Sequence, residues 1–169
     1  MGYFTGTLIK EVCDEQLDAT ALFALEEAWQ RKGQLYYENL KKMEGRLPSN
    51  LYKLLTTNRL RNFSVSSMDF THVVKGRREI RLVVENEREC LEFLFGYVTD
   101  FDISRSCNEA IEPQYMNILV CEELISLGEE GMALEMVLGS GMKIVIRFVD
   151  GSVKLVKRKA GEKHAEQKM

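Results

Sequence analysis

The sequence predicts an α+β protein in which N-terminal helices pack against a C-terminal antiparallel β-sheet meander, and three observations predict it. Between Asp18 and Met43, apolar residues recur at three- and four-residue steps, the period of an amphipathic helix. After about Asn58 the period changes to two, with β-branched and aromatic residues at alternate positions. From Met116 to Arg158, apolar alternation and turn signals follow in quick succession: Gly128-Glu129-Glu130-Gly131, Gly139-Ser140-Gly141 and Asp150-Gly151. Helices gathered in one half and strands in the other favour helices lying on an antiparallel sheet.

Taken in order, Thr5 is placed to cap a short helix through about Glu15, with Leu8, Ile9 and Val12 as its buried stripe. Asp18 opens a long helix to about Glu44 whose apolar face is Leu22, Leu25, Trp29, Tyr36, Leu40 and Met43, with Trp29 as the knob joining helices to sheet. Gly33 interrupts that helix and is where it would divide, because a central Gly costs ~1 kcal/mol relative to Ala. Gly45 is a natural stop, and Leu47-Pro48-Ser49 restarts the chain into a helix through about Thr57 that buries Leu51, Leu54 and Leu55.

The strands follow. Phe63, Val65 and Met68 suggest one, Lys75-Gly76-Arg77-Arg78 a polar turn, and Ile80, Leu82 and Val84 another. After a turn at residues 86–89, residues 90–99 put Leu91, Phe93 and Phe95 on one face. Residues 101–113 are rich in Ser, Asn and acids and read as a long loop. Asp150-Gly151 predicts a hairpin that folds residues 142–149 back on residues 152–157, since a two-residue loop needs positive φ, which Asp and Gly tolerate. The domain reading is one α+β domain over residues 1–158, with a helical half at 1–58 and a β-rich half at 59–158. Residues 159–169 form a polar, aperiodic tail expected to be disordered.

With 169 residues, 45% of them hydrophobic, the chain carries enough apolar material for one core. A formal net charge of −3 gives no global basic excess to hold a nucleic-acid backbone. Apolar runs fall far short of the roughly 20 residues of a spanning helix, and no basic segment followed by an apolar one opens the chain. The expected location is therefore cytoplasmic. Cys13, Cys90, Cys107 and Cys121 contain no Cys-x-x-Cys pair, and His72 and His164 are the only histidines, so neither a zinc site nor another cofactor site is implied.

Acid–base chemistry needs two carboxylates in different environments, and Glu26-Glu27, Glu122-Glu123 and Glu129-Glu130 are the adjacent pairs. Neighbours in a helix or strand point apart, which makes each a poor dyad. Glu122 and Glu123 lie inside an apolar strand, so one of them points inward unless a bulge or an edge intervenes. Gly-x-Ser-x-Gly, Gly-x-x-x-x-Gly-Lys and Gly-x-Gly-x-x-Gly are all missing. One basic stretch, Lys75 to Arg81 with Lys154, Lys157, Arg158 and Lys159 as possible neighbours, offers a weak nucleic-acid surface diluted by Glu79, Glu85, Glu87 and Glu89.

The opening Met1, Tyr3, Phe4 and Thr5, the Leu47-Pro48 restart and the β-rich second half together resemble a family of small bacterial proteins of unknown function that begin Met-x-Tyr-Phe-Thr and end in an antiparallel sheet. More distantly the layout is similar to small cytoplasmic immunity proteins. Neither resemblance implies an activity, a cofactor or a site residue. The functional expectation is a non-catalytic module that binds another protein through Asp100, Asp102, Arg105, Asn108 and Glu109, in the irregular segment that a rigid sheet would present. The alternative is a small-molecule enzyme or ligand-binding protein with a pocket between helices and sheet. The sequence leaves homo-oligomerisation open.

Overall fold

The computed structural model describes residues 18–57, 60–73, 77–105 and 116–159. The expected first helix, Asn108, Glu109, Lys75 and the tail beyond Lys159 lie outside the described residues. Among the described residues, two helices come first. Helix α1 (Ala19–Lys42) starts where Asp18 accepts the Ala21 N–H at 2.8 Å, and Lys41 and Lys42 lie in its last turn, where they face the negative end of the helix dipole. It passes Gly33 without a break. Gly45, at φ +87°, turns the chain toward Pro48 and helix α2 (Ser49–Thr56), which buries Leu51, Leu54 and Leu55.

Eight strands follow: β1 (Ser64–Val73), β2 (Arg77–Glu85), β3 (Glu89–Phe95), β4 (Val98–Arg105), β5 (Leu119–Ser126), β6 (Met132–Leu138), β7 (Met142–Phe148) and β8 (Val153–Lys159). They form two antiparallel sheets of four, ordered β1-β2-β3-β8 and β4-β7-β6-β5. The inner faces share one core. Ile80, Leu82, Val84, Leu91, Phe93 and Phe95 come from the first sheet, and Leu134, Met136, Ile144, Ile146 and Phe148 from the second. Phe95 and Phe148 meet across the gap with ring centroids 5.1 Å apart.

The Asp150-Gly151 turn forms, with Gly151 at φ +70° and the Ser152 N–H donating to the Val149 carbonyl at 3.2 Å, but it does not close the expected hairpin. Strand β7 pairs with β4 and β6, whereas β8 pairs with β3 in the other sheet. The turn is a corner. Beside it, Gly96 and Tyr97 take the chain from β3 to β4, and the two bends are stitched by Gly96 N–H to Ser152 O at 2.7 Å and Val149 N–H to Tyr97 O at 3.3 Å. Pairing partners decide whether such a turn makes a hairpin, and here burial of Phe93 and Phe95 ties β8 to β3. Arg46 anchors the corner through a two-pronged contact with Asp150 at 2.6 and 3.0 Å, and donates to the Gly128 carbonyl at 3.0 Å.

Two further expectations are corrected. Residues 101–105 are not loop but the end of β4, paired with β7 from Phe101↔Ile146 to Arg105↔Met142. Trp29 does join helix to sheet, packing half-buried on Val120 and Cys121 of β5 and Val137 of β6, but it is not the central knob: Tyr36, Leu40 and Met43 are the α1 residues buried in the main core. At the start of the helical stripe Leu22 is exposed, as is Phe23 next to it. Among the described residues, no helix is long and apolar enough to cross a membrane.

Candidate functional site

Each sheet has two edges, and an unpaired edge is a ready template for another chain unless something covers it. Helix α1 covers β5: the Tyr36 hydroxyl accepts the Leu124 N–H at 2.9 Å, and the Asn39 amide donates to the Leu124 carbonyl at 3.3 Å. Helix α2 touches β8 through Asn50, which donates to the Leu155 carbonyl at 3.1 Å. The start of β1 is held by residues 117–119, with Leu119 N–H to Phe63 O at 2.8 Å and Val65 N–H to Asn117 O at 3.0 Å. Strand β4 is different. It ends its sheet with no strand on its outer side among the described residues, as β1 does beyond Val65, and it carries an exposed apolar side chain of its own, Ile103.

Three of the five sequence-predicted surface residues lie on that strand. Asp100, Asp102 and Arg105 are all exposed, and Asp100 forms an ion pair with Arg147 of β7. The structure adds an apolar partner to them. Ile103 is 51% exposed and Phe70, on β1, is 58% exposed, large values for such side chains in a strand. Phe70 meets Phe101 edge to face at 4.8 Å, bridging the β1 and β4 flanks of the two sheets. A cleft of about 410 Å³ opens there, lined by Phe70, Thr71, Arg78, Glu79, Val98 and Phe101. Phe101 and Ile103 alternating with Asp100, Asp102 and Ser104 was the signal for this edge, a strand period inside a polar stretch.

A second feature lies between the helices and the second sheet. Strand β5 carries a bulge between Leu119 and Cys121 and ends its sheet, so both of the interruptions anticipated for it occur. The extra residue reverses the side-chain phase: Leu119 and Leu124 face the core, and Glu122, opposite Met136, faces the same way. Glu123 points to the opposite side, across from Glu135, so the two carboxylates form no dyad. Glu122 is buried, its carboxylate held by the Leu60 N–H and its own N–H, and desolvation pushes its pKa up to about 7. It lines a recess of about 230 Å³ with Trp29, Tyr36, Tyr37, Val120 and Arg61. Burial also raises the Tyr36 hydroxyl and the Cys121 thiol, so neither ionises near neutral pH. His72 lies in β1 opposite Arg78.

Two residues of the basic stretch, Arg81 and Arg158, are engaged in ion pairs. Arg81 meets the buried Glu92 at 2.9 Å and Asp69 at 3.1 Å, and Arg158 reaches the same Glu92 at 3.0 Å. Among the described residues, no group of three His, Cys, Asp or Glu side chains is arranged to hold a metal ion. Comparison with protein-family models and with curated proteins finds no match to this chain.

Proposed function

We propose that the protein is a non-catalytic module that binds another protein, of the immunity-like or regulatory kind, by adding a strand of its partner to the outer side of β4. The observation that carries this reading is the apolar outer flank of β4: α1 lies on β5, α2 touches β8 at Leu155 and residues 117–119 hold the start of β1, while β4 bears exposed Ile103 and, through Phe101, adjoins exposed Phe70 and its cleft. The fitting partner is an extended segment with an apolar side chain toward Phe70 and Ile103 and a basic one toward Asp102, so that main-chain bonds supply affinity and side chains supply choice. The unbridged thiols of Cys90 and Cys121 suit a reducing compartment, in keeping with a cytoplasmic protein.

The test is recovery of partner protein from cells by tagged wild type, by Ile103→Lys and by Val156→Lys on the edge strand β8. Loss with Ile103→Lys alone, at unchanged melting temperature, supports the β4 assignment. Equal recovery by all three, or loss with Val156→Lys alone, removes it.

A further inference from the structure

Strand addition at β4 leaves the recess beneath α1 without a use. Its wall is mixed in an informative way: a buried carboxylate from Glu122, the exposed guanidinium of Arg61, the aromatic rings of Trp29 and Tyr36, and the aliphatic side chains of Leu40, Leu55 and Val120. The Tyr37 ring on the same wall already carries the Lys41 ammonium, 4.7 Å from its centroid. Helical Gly33 also lines the recess and contributes no side chain to fill it. One negative group inside, one positive group toward solvent and apolar surface between them are complementary to a short molecule with both charges and an apolar body.

We infer that the recess binds a small aliphatic α-amino acid, its ammonium on the Glu122 carboxylate, its carboxylate on Arg61 and its side chain against Leu40, Leu55 and Val120. A volume of about 230 Å³ suits a ligand of that size and lies below the pockets that hold drug-sized molecules, roughly 300–1,000 Å³. The ammonium also gains from neighbouring aromatic rings, which attract cations through their faces. Because Glu122 releases its proton near neutrality, docking of an ammonium on it is accompanied by proton release, a signature that mere apolar filling does not produce.

Trp29 is the only tryptophan, so its emission reports occupancy directly. Glycine, L-valine, L-leucine and L-methionine are titrated to about 10 mM, enough to detect a Kd near ~1 mM. The expected result is a saturable change with at least one of them, together with a heat of binding that varies with buffer ionisation enthalpy at pH 7. For the tightest binder, the decarboxylated and the deaminated analogues each bind at least about tenfold more weakly. Glu122→Gln and Arg61→Ala each weaken it by a similar factor while retaining the wild-type melting temperature at pH 5. No saturable change with any of the four amino acids overturns the inference. So does a decarboxylated analogue that binds as tightly as its parent, or undiminished binding by Glu122→Gln.

Discussion

Replacing Glu122 by Gln should flatten the pH dependence of stability. In the folded chain the carboxyl keeps its proton to about pH 7 because burial penalises the anion, whereas an unburied glutamate releases it near 4.5. Between those values the folded state binds more protons than the unfolded one, so stability is greatest below about 4.5 and falls as pH rises toward 7. At ~1.4 kcal/mol per pH unit, that window is worth about 3 kcal/mol. Of the other titratable groups on the recess wall, Tyr36 and Cys121 remain neutral throughout it, since burial raises both. Glutamine is neutral, of nearly the same shape, and keeps an acceptor for the Leu60 N–H. Urea unfolding of both proteins from pH 4.5 to 8 should show similar stability at the acid end and a Glu122→Gln advantage approaching 3 kcal/mol at the alkaline end. At ~2–4 °C per kcal/mol for a chain of this size, the melting temperatures should separate by roughly 6–12 °C. Parallel curves for the two proteins would mean that Glu122 is hydrated in the folded state, and would refute the burial argument.

Gly131 and Gly128 bracket the β5–β6 turn with different tolerances. A Cβ on Gly131, at φ +112°, would lie 2.3 Å from the Phe148 carbonyl oxygen, so Gly131→Ala should lose ~3 kcal/mol or more. Gly128, at φ +70° with open space around it, should lose only ~1 kcal/mol by the same change, and denaturant midpoints of the two variants would expose any error in this ordering. Tyr36→Phe leaves the Leu124 N–H without its hydroxyl acceptor and should cost ~1–3 kcal/mol. Trp29→Ala, from a half-buried satellite group, should give a folded and soluble protein, and a collapse in solubility would show that Trp29 belongs to the main core after all.

Local features were legible where neighbours in sequence decide them. The Asp18 cap, the Gly45 stop and the Pro48 restart depend on a few adjacent residues, and the phases Ile80-Leu82-Val84 and Leu91-Phe93-Phe95 are set by strand alternation alone. What escaped was information held by distant partners. Asp150-Gly151 specifies a turn, but whether β7 and β8 then pair is decided by β3 and β4, about 50 residues earlier. Strand β4 reads as loop because an edge strand exposes both of its faces and needs fewer apolar residues. The recess draws Trp29, Arg61 and Glu122 from three elements, and only the oddity of Glu122 within an apolar strand hinted at it.

The corner where β3 runs into β4 and β7 runs into β8 determines how the chain can come apart. Divided after Arg105, it yields a first part with three strands of one sheet and a single strand of the other, and a second part with the reciprocal set. Each part lends the other its fourth strand, so neither owns a complete sheet. The loan is long-range: Phe95 must find Val153 and Val98 must find Phe148 before either sheet is whole, and loop-closure entropy delays such contacts. Completion of the two sheets is therefore coupled, and it falls late in folding. The same reciprocity gives two chains a natural way to exchange halves when they fold at high concentration, each completing the other's sheets with strands it would otherwise have kept.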